Sequence, residues 1–181
     1  AEGVLRIGLA HGGVVDFTES GEHIPPDRDH SAGLDYLALG DWHGRLQVTA
    51  RTQYPGTPEQ DRFKHGTRGC CLAVNLAGHG ALPEVTEVET GQFLWSDLAL
   101  PLHEGEDAAM ALEALLPLTD RRDILLRVAA SGWASLAGHA ALRAAADQHA
   151  PEFALFDLLT DGLGTLQDVA DHTRISVRYL E

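Results

Sequence analysis

The sequence predicts a mixed α/β protein in two parts, strand-rich over residues 1–90 and alternating strand and helix over 91–181. Three observations carry that expectation. Short apolar runs bounded by glycine or proline recur through the first part, as strands do when turns punctuate them. Two stretches of the second part, 106–116 and 135–149, hold apolar or alanine residues at helical spacing, and each meets a proline, Pro117 or Pro151, which cannot continue a helix. Strand-like runs alternate with these two stretches, the pattern of a small α/β module.

The elements follow in order. Residues 4–10 (VLRIGLA) read as a buried strand running into His11-Gly12-Gly13. Pro25 and Pro26 are placed to open a turn or two of helix over 27–32. Residues 34–39 (LDYLAL) form a second strand candidate that ends abruptly in Gly40-Asp41-Trp42-His43-Gly44. Strands are expected over 46–50, 69–76 and 84–89, the last two joined as a hairpin through Gly78-His79-Gly80. Beyond the change of character near Gly91 come a strand over 93–102, the helix 106–116, a strand over 123–130, the helix 135–149 and a strand over 153–159. The tail adds a weak helix and a last strand over 175–179.

At 181 residues, 44% hydrophobic and 22% charged, the chain can bury a core, which excludes wholesale disorder. Thirteen Lys and Arg against 27 Asp and Glu leave a net charge of −14. A general electrostatic binder of nucleic acid or of membrane surfaces needs the opposite balance, so phosphate chemistry here calls for a local, metal-assisted site. No apolar run is long enough for a transmembrane helix, and no secretory signal opens the sequence. The only cysteines, Cys70 and Cys71, are adjacent, and neighbours on a strand point to opposite faces. An ordinary disulfide between them is therefore not expected, and a reducing, cytoplasmic setting is. Ala1 at the start, with a strand almost at once, reads as a piece of a longer protein.

Two places share one design: an apolar strand delivers a histidine into a glycine-flanked loop, at Leu9-Ala10-His11-Gly12 and at Leu39-Gly40-Asp41-Trp42-His43-Gly44. A rigid sheet fixes such loop residues while leaving their polar atoms accessible. Imidazole and carboxylate together suit Zn, Fe or Mn, carboxylate oxygen favouring the harder Mn. Gly40-Asp41-Trp42-His43 after a strand resembles the Gly-His-x-His motif near the C-terminal end of the calcineurin-like metallophosphoesterase core, and strand-then-His11 resembles the histidine motif that precedes it. Tyr54-Pro55-Gly56-Thr57-Pro58-Glu59 is similar to the run after the metal loop in DNA-repair exonucleases of the SbcD type. The resemblance covers about residues 4–90.

That resemblance implies the C-terminal part of a metallophosphoesterase β-sandwich over 1–90, followed by a small α/β capping domain over 91–181. It implies catalytic and metal-ligating roles for His11 and His43, one on each of two divalent ions, Mn first with Fe or Zn as alternatives. Asp41 would be a further ligand where the family has histidine more often. The implied reaction is phosphodiester hydrolysis, with a phosphate held between the ions and an activated water as nucleophile, DNA being a substrate by analogy and a nucleotide or small phosphodiester another. Upstream of His11 the superfamily's Asp-x-His has no counterpart, and Gly-Asp-x-x-Asp and Gly-Asn-His-Asp/Glu do not occur in the chain. The chain alone is thus expected to lack half of the ligands and to be inactive without an N-terminal catalytic segment. The competing reading is a non-catalytic scaffold that docks a partner such as an SbcC-like ATPase.

Arg51, Arg62, Lys64, His65 and Arg68 form the one basic concentration. Arg51 and Arg62 are candidates to meet substrate phosphates, or else they balance an acidic surface. Trp42 either packs on the sheet or stacks on a base. His79, His103, His139, His149 and His172, and the scatter of Asp157, Asp161, Asp168 and Asp171, carry no ligand spacing. Ser131 and Ser135 lack the glycine elbow of a serine hydrolase. An incomplete sandwich would leave apolar sheet edges open and favour homo-oligomers.

Overall fold

The computed structural model describes residues 3–14 and 23–166. The strand expected over 175–179, together with Asp168, Asp171 and His172, lies outside the described residues. The protein is mixed α/β and divides into two compact units, residues 1–94 and 95–181. Among the described residues no helix is long and apolar enough to cross a membrane.

The first unit is built on a four-stranded sheet of β1 (Ile7–His11), β2 (Tyr36–Gly40), β3 (Leu46–Gln47) and β4 (Thr52–Tyr54), in the order β1-β2-β4-β3. Strands β1, β2 and β4 run parallel, and β3 pairs antiparallel with β4. A four-residue helix, α1 (Arg28–Ser31), lies between β1 and β2 in the chain. Successive strand residues face opposite sides. Leu37 and Leu39 of β2 therefore share one face, where they join Val14 and Tyr54 in a core against which Ala10, Ile24, Leu34 and Trp42 pack. Ile7, Leu9 and His11 take the other side of β1, and there Ile7 is 57% and Leu9 82% exposed.

The expected hairpin is present as β5 (Cys70–Asn75) and β6 (Glu84–Glu89), antiparallel over six pairs. Its tip is fastened to the entrance of β2. The Asp35 carboxylate, almost wholly buried, accepts from the backbone N–H of Gly80 and of Arg6, each at 2.8 Å, and from His79 Nδ1 at 3.0 Å. These donors hold its carboxyl well below the usual carboxylate range, the Gly80 amide contributing most. Strand β4 escapes sequence reading because Thr-Gln-Tyr is too short and too polar to look like one. It is buried by its place between β2 and β3, where Gln53 accepts from Arg45 Nη2 at 2.6 Å.

The second unit has a three-stranded sheet of β7 (Leu94–Leu102), β8 (Ile124–Ser135) and β9 (Leu155–Leu166), in that order. Helices α2 (Ala108–Leu115) and α3 (Leu136–His149) supply Leu112 and Leu142 to a core that contains Leu126 and Val128, all four fully buried. Each such side chain contributes about 1.5–3 kcal/mol of burial. Asp107 caps α2 through the N–H groups of Ala109 and Met110, and Ser135 caps α3 through Gly138 N–H, satisfying donors that a helix start leaves free. β8 and β9 are parallel, with α3 as the crossover that such a pair requires. Both strands outrun their expected ends at 130 and 159. Gly132 adopts φ +93° and its missing Cβ lets the Leu102 carbonyl approach closely, and pairing continues past a bulge to Ser135 and Leu166.

Candidate functional site

Parallel strands end on one side of a sheet, and ligands of α/β proteins gather at those carboxyl ends. His11 closes β1 opposite Gly40, the last residue of β2. A Cβ on Gly40 would stand 2.8 Å from His11 Nδ1, so glycine is what lets the imidazole lie over the neighbouring strand. The next residue, Asp41, has φ +101°, a conformation that costs a non-glycine residue on the order of 1–3 kcal/mol. In that conformation Asp41 Oδ1 lies 3.7 Å from His11 Nε2, and both side chains are more than half exposed.

Trp42, half-buried, packs against the sheet core. The Lys64 ammonium sits 5.3 Å from its ring centroid and the His65 ring meets it edge-on at 5.8 Å. Burial, aided by Arg62 and Lys64, lowers the pKa of His65. His43 points its Nδ1 at Asp61 Oδ2, 2.5 Å away. The Arg62 guanidinium grips the same carboxylate, Nε to Oδ1 at 3.0 Å and Nη2 to Oδ2 at 3.2 Å. Arg62 above all, with help from His43, brings the Asp61 carboxyl down to about 2.

The run that follows β4 ties both histidine loops in place. The Tyr54 hydroxyl, at the end of β4, donates to the Gly12 carbonyl at 2.6 Å, anchoring the loop after His11. Thr57 N–H donates to the His43 carbonyl at 3.1 Å. Gly56, at φ +84°, presses so closely on the backbone of 43–45 that a Cβ would stand 2.8 Å from the His43 oxygen. The motif Tyr54–Glu59 carries no sign by itself of the Tyr54 contact, and Asp61 lies two residues beyond it. A carboxylate beside an arginine, in a segment already tied to the metal loop by resemblance, is the signal that could have singled out Asp61.

The six expected site residues are thus distributed unevenly. His11 and Asp41 meet; His43 and Arg62 meet both directly and at Asp61; Trp42 packs between its core and the basic turn at Phe63–His65. Arg51 is elsewhere. Its guanidinium donates to the carbonyls of Asp35 (2.9 Å), Ala81 (2.8 Å) and Gly80 (2.8 Å), lining a cleft of 380 Å³ with Asp29, Asp35 and His79. That geometry makes it a clamp on the β5–β6 turn.

Two ligands on one ion, each about 2.1 Å from it, stand at most about 4.2 Å apart, so the His11–Asp41 separation fits a shared divalent cation. His43 turns its Nδ1 to Asp61 and leaves Nε2 out of that contact, and it does not gather with His11 and Asp41 into a three-ligand group. Among the described residues no group of three or more His, Cys, Asp or Glu side chains is gathered closely enough to hold a metal by itself; these donors make an open, partial set. The chain matches no protein-family model and no curated protein.

Proposed function

We propose that the chain is the C-terminal portion of a calcineurin-like metallophosphoesterase of the DNA-repair exonuclease type, with residues 1–94 belonging to its catalytic β-sandwich and the second unit to a small α/β cap. The single observation that carries this reading is the convergence of His11 and a strained Asp41 at the carboxyl ends of two adjacent parallel strands. Strain of that kind persists where the surroundings enforce it, and it concentrates at working sites.

In this reading His11, Asp41 and His43 supply nitrogen and oxygen donors to two divalent ions, Mn²⁺ before Fe or Zn. When bound, such ions neutralise phosphate charge and activate water near neutral pH. The chain's own residues do the rest. Gly40 and Gly12 let the His11 loop close on its neighbour, Tyr54 and Gly56 fix the two histidine backbones, and Arg62, half-exposed beside His43, offers its outer face to a phosphodiester oxygen. The remaining ligands would come from an N-terminal catalytic segment. Among the described residues β1 pairs on one side only, and the exposed Ile7 and Leu9 beside His11 support a partner at that position. Free Cys70 and Cys71 fit a cytoplasmic protein.

Elemental analysis and hydrolysis of bis(p-nitrophenyl) phosphate test the reading. The longer protein should carry stoichiometric Mn, Fe or Zn and cleave the ester, and the 181-residue chain alone should have little activity. Absence of metal from the longer protein sinks the enzyme reading in favour of a scaffold that docks an SbcC-like ATPase. Vigorous metal-dependent hydrolysis by the isolated chain sinks the claim that its ligand set is partial.

A further inference from the structure

Two charged neighbours contend for one ring nitrogen of His43. Asp61 Oδ2 lies 2.5 Å from Nδ1, and Arg62 Nη2 lies 2.7 Å from that same atom. A neutral imidazole has one proton for its two nitrogens, a carboxylate only accepts, and a guanidinium only donates. Nδ1 can therefore donate to Asp61 or accept from Arg62, and the two choices are opposite tautomers. With the proton on Nδ1, Nε2 keeps a free electron pair. With the proton on Nε2, that pair is gone and the ring cannot ligate a cation through it.

The carboxylate contact is the shorter of the two. Arg62 also has an outlet that does not involve the ring, because it already donates twice to the Asp61 carboxylate. We propose that Asp61 is a positioning residue that holds His43 in the Nδ1–H tautomer, presenting Nε2 as an electron-pair donor to a divalent cation. Arg62, by holding Asp61, keeps the carboxylate aimed. The purpose given to the tautomer rests on the metal reading above; the tautomer itself does not. A histidine that donates its second nitrogen's proton to a carboxylate is a more basic and better oriented ligand, and removal of such a partner weakens metal binding about 10–100-fold.

Nitrogen-15 NMR of the imidazoles decides the matter in the metal-free 181-residue chain at about pH 8, where histidine is neutral, with His43→Gln assigning the signal and circular dichroism confirming that each variant is folded. The wild type should show a protonated Nδ1 and a bare Nε2. Asp61→Ala should switch the proton to Nε2 as Arg62 takes over Nδ1; Asp61→Asn, whose amide oxygen still accepts, and Arg62→Ala should both keep it on Nδ1. A wild-type ring already protonated at Nε2, or a ring indifferent to Asp61→Ala, overturns the proposal. Calorimetric titration with Zn²⁺ adds the second arm: Asp61→Ala should weaken binding about 10–100-fold, and equal affinity in both proteins overturns the positioning role. If Zn²⁺ binds neither protein, the donors of this chain do not hold the cation without the remaining ligands, and the NMR result alone decides what Asp61 does to His43.

Discussion

The imidazole of His11 rests over Gly40, its register partner on β2, with Nδ1 2.8 Å from the point where a Cβ on that glycine would stand. Gly40→Ala should therefore push the ring away from Asp41. Because the ring is exposed and free to swing, unfolding free energy should change by no more than about 1 kcal/mol. Zn²⁺ affinity should fall by about tenfold or more, the range seen when a ligand loses its aim. Urea unfolding and calorimetry measure the two effects, and loss of stability without loss of affinity would count against the arrangement.

Asp41 is held at φ +101°, which glycine adopts freely. Asp41→Gly should raise the unfolding free energy by about 1 kcal/mol, the relieved strain exceeding the added freedom of the unfolded chain. Asp41→Ala, which keeps the strain, should give no gain. Both variants should lose metal affinity. A stabilised Gly variant with weakened metal binding is the signature of a residue kept for its carboxylate.

Asp35 sets the acid response of the first unit. Its folded pKa lies below the ordinary 3.8, so its contribution is complete above that value and drains away as pH falls from about 4 toward the folded pKa. The urea midpoint, followed by tryptophan fluorescence, should therefore decline below about pH 4. Asp35→Asn should be less stable at neutral pH and show a flatter decline over the same acid range. An unaltered slope would mean that other carboxylates carry the acid sensitivity.

The two arginines chosen from sequence should separate cleanly. Arg51→Ala removes three donors from backbone carbonyls of the β5–β6 turn and of Asp35 and should cost about 2 kcal/mol of stability, with no effect on phosphodiester affinity in the longer protein. Arg62→Ala should leave stability nearly unchanged, since the side chain is half-exposed, and should weaken substrate binding. With DNA as substrate, the salt dependence of binding should also become shallower. If Arg51→Ala alone weakens binding, the assignment is reversed.

Much of this architecture is legible in the sequence because periodicity reports burial. The runs that become β1, β2, β5 and β6 are apolar or alternating between glycines, and α2 and α3 have helical spacing and each meets a proline. What was not legible depends on partners distant in the chain. β4 is a strand because two neighbours take its hydrogen bonds, and β8 runs through Ser131-Gly132 because β9 keeps pairing beside it. The two strand-histidine-glycine designs lead one to expect His11, Asp41 and His43 to converge; His11 and Asp41 lie 3.7 Å apart, whereas no group of three such side chains gathers among the described residues. The roles of Asp61 and Tyr54 could not be expected, since both act across 18 or more residues of chain. The carbonyl partners of Arg51 were not legible for the same reason, since they lie 16 to 30 residues away in the chain.

Among the described residues β1 is a parallel strand at the border of its sheet, and that limits how the sheet can be extended. A parallel neighbour cannot be supplied by a tight turn; it needs a crossover of roughly a dozen residues or more, usually a helix, passing over one face. Any segment of the same chain that lengthens this sheet in the same sense would therefore bring a covering layer with it, and among the described residues the side of β1 from which Leu9 projects has room for one.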